Sequence, residues 1–205
     1  MMIEVLKFIN KPINSNTYIL FHSQSENCII IDPGSFEMSD IISFITNKKK
    51  IPISILLTHE HFDHIFGVND LIKFNNDILI YASQKTLDRI IDKRKNLSYY
   101  FDQKGYEVLE TNFIPILNGL LEIDVFNIEV LKTSGHTDSS LSFFIDGKLF
   151  TGDFLIKNEM TITKLPHGNK QDFQASFNKY QDCIYNSIIF PGHGEVFKLK
   201  KRKNI

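Results

Sequence analysis

The chain has 205 residues, of which 42% are apolar and 23% charged, and its 23 basic and 24 acidic side chains leave a formal charge of −1. That length suits one domain, residues 1–205, with a substantial core, and the composition excludes a disordered or low-complexity protein. Near-neutral charge gives no global pull toward nucleic acid, so no nucleic-acid partner is expected, and the basic C-terminal "KLKKRKNI" reads as a solvated tail.

In chain order, "IEVLKFI", "NTYILF" and "CIIID" read as strands, the third ending in the turn signal "DPGS". The opening "MMIEVLKFINK" is broken by Glu4 and Lys7 before a signal-type apolar core develops, and no later run approaches membrane-spanning length. A cytoplasmic protein with no membrane partner is the expectation. Ile41, Ile42 and Ile45 share one face of a helix near Met38 to Asn47, and the strand "ISILL" follows. A helix near Ile65 to Phe74, the strand "ILIYA" and a helix near Gln84 to Lys93, capped by Ser83, continue the α/β rhythm. From Arg94 to Asn112 a polar stretch with interleaved aromatics reads as a long loop. The second half returns to strands, "LLEIDVF", "IEVLKT", "SLSFFI" and "KLFTGD", the last two joined by a hairpin at "DGK". A helix near Gln171 to Tyr185 then precedes "SIIFPGHG". Cys28 and Cys183 form no CxxC pair and sit in apolar contexts that suit packing, so neither is a candidate nucleophile.

The chemistry concentrates at strand ends. "LLTHEHFDHIFG" sets His59, His61 and His64 with Glu60 and Asp63 in six residues, and "LKTSGHTDSS", "LFTGDF" and "IIFPGHGE" end similar runs at His136, Asp153 and His193. Five of the seven histidines therefore fall at such ends, which random placement seldom produces. Imidazole and carboxylate are ordinary ligands of zinc and other first-row divalent ions, and the lack of nearby thiolate argues against a closed structural site. His59 and His61, one residue apart, can face one ion from an extended segment, while Glu60 points away; Asp63 and His64 can reach a second ion, and Asp153 is a natural bridging carboxylate. His22 and His167 lack this company and read as hydrogen-bonded or surface residues.

"THEHFDH" resembles the HxHxDH signature of the metallo-β-lactamase superfamily, and "GHT", "TGD" and "PGHG" match its later ligand motifs in order, from "NSNTYIL" and "IDPGS" to nearly the end. The resemblance implies a four-layer αββα sandwich with the site at one edge. It also implies that His59, His61 and His136 hold one metal, Asp63, His64 and His193 the second, and Asp153 both, with Asp32 supporting the site from behind. Two divalent ions, Zn2+ by preference with Fe or Mn as alternatives, would supply hydroxide at neutral pH, and Asp63 would orient it or take its proton. There is no GxSxG elbow and no Walker-type loop to support a serine hydrolase or a nucleotide-dependent enzyme.

Within the superfamily the motif order is most similar to the glyoxalase II group, implying a thioesterase acting on S-D-lactoylglutathione or a similar small-molecule substrate. Two features depart from that group. The tail after His193 is too short for the C-terminal helical region that binds glutathione in longer members, and Thr161 and Ile162 stand where many relatives show a glycine-arginine pair. Lys157, Lys164 and His167 are nearby candidates to meet an anionic substrate, and Tyr99, Tyr100, Phe101 and Tyr106 suit either a pocket wall or ordinary loop packing. Rival readings are a persulfide dioxygenase using one iron on His59, His136 and Asp153, a lactonase, and a nuclease of the same fold.

Overall fold

The computed structural model describes residues 2–109 and 111–200; the basic tail beyond Lys200 lies outside the described residues. The chain divides into two compact units, with the boundary between Leu117 and Asn118.

The first unit is a six-stranded sheet in sequential order, β1 (Glu4–Ile9), β2 (Asn16–Phe21), β3 (Asn27–Ile31), β4 (Ile51–Leu56), β5 (Leu79–Ala82) and β6 (Phe113–Pro115). The β1–β2 and β2–β3 pairs are antiparallel, and β3 to β6 run parallel. Parallel neighbours need crossovers, and the helices α1 (Ser39–Asn47), α2 (Val68–Phe74) and α3 (Gln84–Ile90) lie in them. The register places Ile19, Ile30, Ile55 and Ile80 in one row across β2 to β5, each fully buried. Ile41 and Ile45 of α1, Val68 and Leu71 of α2, and Leu87 and Ile90 of α3 pack into the same cluster. Each such side chain contributes roughly 1.5–3 kcal/mol of burial, so the row is the mechanical base from which the strand ends project.

The second unit is a five-stranded sheet. Along its length come β7 (Gly119–Ile123), β8 (Phe126–Lys132), β9 (Leu141–Ile145) and β10 (Lys148–Gly152), all antiparallel, with β11 (Ile188–Pro191) beside β10 in parallel. The β9–β10 hairpin turns on Asp146 and Gly147, both with positive φ (49° and 74°), as "DGK" leads one to expect. The helix preceding β11 is the longest described. It is capped by Asn169, whose side chain accepts the backbone N–H groups of Gln171 and Asp172, and its Phe173, Phe177 and Ile184 pack with Leu131, Leu149 and Phe154.

Four expectations need correction. "LLEIDVF" is not one strand: β7 ends at Ile123 and the chain turns at Asp124, whose φ of 50° an aspartate tolerates without glycine. The helix expected from Ile65 begins at Val68, because Phe62–His64 form a 3-10 turn ahead of it, and the helix expected to reach Lys93 stops at Ile90. The supposed loop from Arg94 contains a helical turn, α4 (Ser98–Phe101), making the long helix α5 (Lys170–Asn186), and leads into the unforeseen β6. Polar anchors order it: the Asn96 side chain donates to the carbonyls of Ile90 and Tyr106, and the Tyr106 hydroxyl accepts the Asn69 N–H. No helix among the described residues is long and apolar enough to cross a membrane.

Cys28 is fully buried on β3, and burial pushes its thiol up to about 12; burial also raises that of Cys183 on α5. Thiolate is therefore scarce at pH 8, and a disulfide reagent should leave Cys28 unmodified in the folded protein and react with it on unfolding. Because the folded Cys28 holds its proton more tightly than the unfolded one, its contribution to stability is complete below about pH 9 and is lost as pH rises toward 12. Alkaline melts should show that decline, and a Cys28→Ala variant should show less of it.

Candidate functional site

In the first unit the site is built at the carboxyl ends of β3 and β4. These strands are parallel neighbours with Ile31 opposite Leu56, so whatever follows each emerges at the same edge. Asp32 follows β3 in a left-handed conformation (φ 49°), donates its N–H to the Leu56 carbonyl, and turns its carboxylate onto the segment leaving β4. One carboxylate oxygen accepts the Thr58 backbone N–H at 2.8 Å; the other accepts the Thr58 hydroxyl at 2.6 Å and lies 3.0 Å from His64 Nδ1.

These contacts fix two imidazoles. Against a carboxylate acceptor, His64 Nδ1 must carry the proton, which leaves its Nε2 lone pair for another partner. Thr58 has one hydroxyl proton and gives it to Asp32, so toward His59 Nδ1, 3.0 Å away, it can only accept. His59 is thereby the same tautomer, with Nε2 as the electron-pair donor. The two rings stand 4.3 Å apart between centroids, and the His61 ring is 4.7 Å from that of His59. Glu60 turns away, as expected: it is fully buried and its Oε1 accepts Arg89 Nη1 of α3 at 2.8 Å.

The 3-10 turn carries Asp63, whose Oδ2 is 3.7 Å from His64 Nε2. Its backbone carbonyl accepts the Ser15 hydroxyl, and Gly34 of "DPGS" presses on the same atom so closely that a Cβ there would sit 1.7 Å from it. That glycine is a requirement of close approach. Phe62 N–H donates to the Asn96 carbonyl, and the Phe62 ring stacks on Phe101 at 5.0 Å, so the aromatic segment packs behind the turn. Tyr106 is packed against the core, while Tyr100 is 69% exposed.

In the second unit β8 and β10 run in the same direction, each antiparallel to β9, and β11 is parallel to β10. Three strand ends therefore share an edge, and they lead to His136, Asp153 and His193. Gly192 N–H donates to the Gly152 carbonyl, locking the last two segments side by side. Asp153 Oδ2 lies 3.5 Å from His136 Nε2 and 3.6 Å from His193 Nε2. His136 Nδ1 is 2.8 Å from the Ile162 carbonyl, an obligate acceptor, so this ring too carries its proton on Nδ1 and presents Nε2.

The donor set fits a metal. Bonds of 2.0–2.1 Å at a tetrahedral angle hold two donors on one ion about 3.3 Å apart, close to the 3.5, 3.6 and 3.7 Å separations here and longer than a good hydrogen bond. Sequence reasoning missed Thr58, Ser15, Gly34 and the Ile162 carbonyl; Thr58 stands directly before the histidine cluster, whereas a main-chain acceptor leaves no trace in residue type. His22, with Nδ1 accepting the Gln24 N–H, is a hydrogen-bonded residue and His167 an exposed surface one, as expected.

Residues 10–193 match the family model of the metallo-β-lactamase superfamily. The chain belongs to that superfamily of metal-binding hydrolases, with its α/β fold. Among relatives, it is 32% identical over 188 residues to a probable metallo-hydrolase, YqgX, of Bacillus subtilis, covering 89% of this chain and 86% of that one. It is 28% identical over 183 residues to a hydroxyacylglutathione hydrolase of Psychromonas ingrahamii, covering 88% of this chain but 59% of the relative. The crystal structure of the BLEG-1 B3 metallo-β-lactamase superposes with a TM-score of 0.87 at 27% identity, covering 94% of this chain and 93% of that one.

Asp32 holds two rings and Thr58 one, which separates their substitutions. Asp32→Ala should weaken divalent-metal affinity about 10- to 100-fold, and Thr58→Val, which frees only His59, should do so less. Competition with a chromogenic chelator would measure both. Equal affinity in Asp32→Ala and the parent would disprove the orienting role.

Proposed function

We propose that the chain is a dinuclear, zinc-dependent hydrolase, with a thioester of the S-D-lactoylglutathione type as its leading substrate. His59, His61 and His136 are assigned to one ion, Asp63, His64 and His193 to the other, and Asp153 to both, following the family's motif order. The observation that carries the reading is the shared contact pattern of His59, His64 and His136, each engaged at Nδ1 by a partner that leaves Nε2 as the electron-pair donor.

Bound divalent ions would supply hydroxide at neutral pH and polarise the scissile carbonyl. Asp63 is the residue assigned to orient the nucleophile or receive its proton: its backbone is pinned by Ser15 and Gly34, and its side chain keeps 12% of its surface exposed. Holding the three rings in one tautomer in advance removes reorganisation from the reaction itself. The relative named as a hydroxyacylglutathione hydrolase supports a thioester as the first substrate to try.

The test is hydrolysis of S-D-lactoylglutathione by zinc-reconstituted protein, followed by loss of thioester absorbance, with bound metal counted. Two equivalents of zinc and steady turnover are expected, with Asp63→Ala lowering kcat about 10²- to 10⁴-fold. Full loading without turnover would overturn the thioesterase assignment. Iron as the tightly held metal, with oxygen uptake, would replace it with an oxidoreductase.

A further inference from the structure

The second unit contains a cavity of about 530 Å³ that the proposed chemistry does not use. Leu155, Ile156, Met160, Ile162 and Phe173 make it largely apolar, and Lys164 and Lys170 stand in its wall. Its volume falls in the range of small-molecule sites. Met160 is 93% exposed and Ile162 58%, so two large apolar side chains of one short loop are left in water around a concavity.

The same walls hold the proposed ligands of this unit. The Ile162 carbonyl takes the His136 Nδ1 proton, and Thr161 donates its hydroxyl to the carbonyl of Phe154, the residue after Asp153. Phe173 packs on the Phe154 ring at 5.1 Å, and its Cα approaches Gly135 so closely that a Cβ there would lie 2.6 Å away. An occupant therefore rests against the backbone that positions His136 and Asp153. Charge narrows the choice. The lining carries Lys164 and Lys170 against Glu159, a surplus of one positive charge, and neither lysine has an ion-pair partner among the described residues. A single anionic group on an apolar chain complements it; a polar hydroxyacyl group or a polyanion does not.

We infer that this cavity binds an amphipathic monoanion of the alkyl carboxylate class.

The experiment titrates octanoate, butyrate and acetate into the metal-loaded protein by calorimetry, with Met160→Asp, Ile162→Asp and the double variant Lys164→Ala/Lys170→Ala in parallel. Both apolar side chains are more than half exposed, so the variants should fold, and a thermal melt checks it. Octanoate should bind at one saturable site at least 10-fold more tightly than acetate. That preference should vanish in either aspartate variant, and octanoate should weaken several-fold in the lysine variant. Octanoate binding no tighter than acetate, or unchanged by the aspartates, would overturn the site.

Discussion

The Asp32 carboxylate meets the Thr58 N–H, the Thr58 hydroxyl and His64 Nδ1 at 2.6–3.0 Å, and through these three contacts it settles the protonation pattern of two histidines. Buried imidazoles have two tautomers of similar intrinsic energy, and one donates where the other accepts. A site built from several of them needs an external reference, and a buried carboxylate that can only accept provides one. The left-handed backbone at Asp32 turns the side chain across to the neighbouring strand. An aspartate in that conformation costs little, and its own N–H bonded to Leu56 offsets part of the cost.

Each unit applies the same principle to its topology. Side chains that must converge are placed just beyond strands running in one direction, so that the sheet's hydrogen bonds fix their spacing before any side-chain contact forms. In the first unit the parallel β3–β4 pair brings Asp32 to Thr58, with the isoleucine row as rigid backing. In the second, β10 and β11 bring Asp153 to His193, and α5 supplies the crossover that makes them parallel. The buried Glu60–Arg89 pair ties the histidine turn to α3. Breaking one partner of such a pair is more costly than replacing both, which makes it a constraint on how the turn sits.

Much of this was legible in the residues. Unbroken apolar strands such as "NTYILF" and "CIIID" read correctly because central strands bury both faces, and the histidine spacing around His59 marked the chemistry without any structure. The turn at Asp124 interrupts the apparent strand "LLEIDVF" because an aspartate takes the positive φ there, with no glycine to mark it. Strand β6 was missed because three residues carry no period, and its existence depends on pairing with β5. Glu60 was placed correctly by alternation alone, although its partner Arg89, 29 residues on, was invisible. The unusual Thr161–Ile162 pair was read only through its side chains, and what reaches His136 is a carbonyl that any residue possesses.

That last contact bears on how the protein can change. Because the His136 ring is steered by the main chain at position 162, the side chain there is unconstrained by the task, and the same holds for the neighbouring Met160. The loop can exchange its side chains, and with them the shape and charge it offers to a ligand, while the imidazole keeps its proton where it is. What the loop shows to solvent and what it gives to the imidazole thus lie in different parts of the same residues, so single substitutions can change the one and leave the other as it stands.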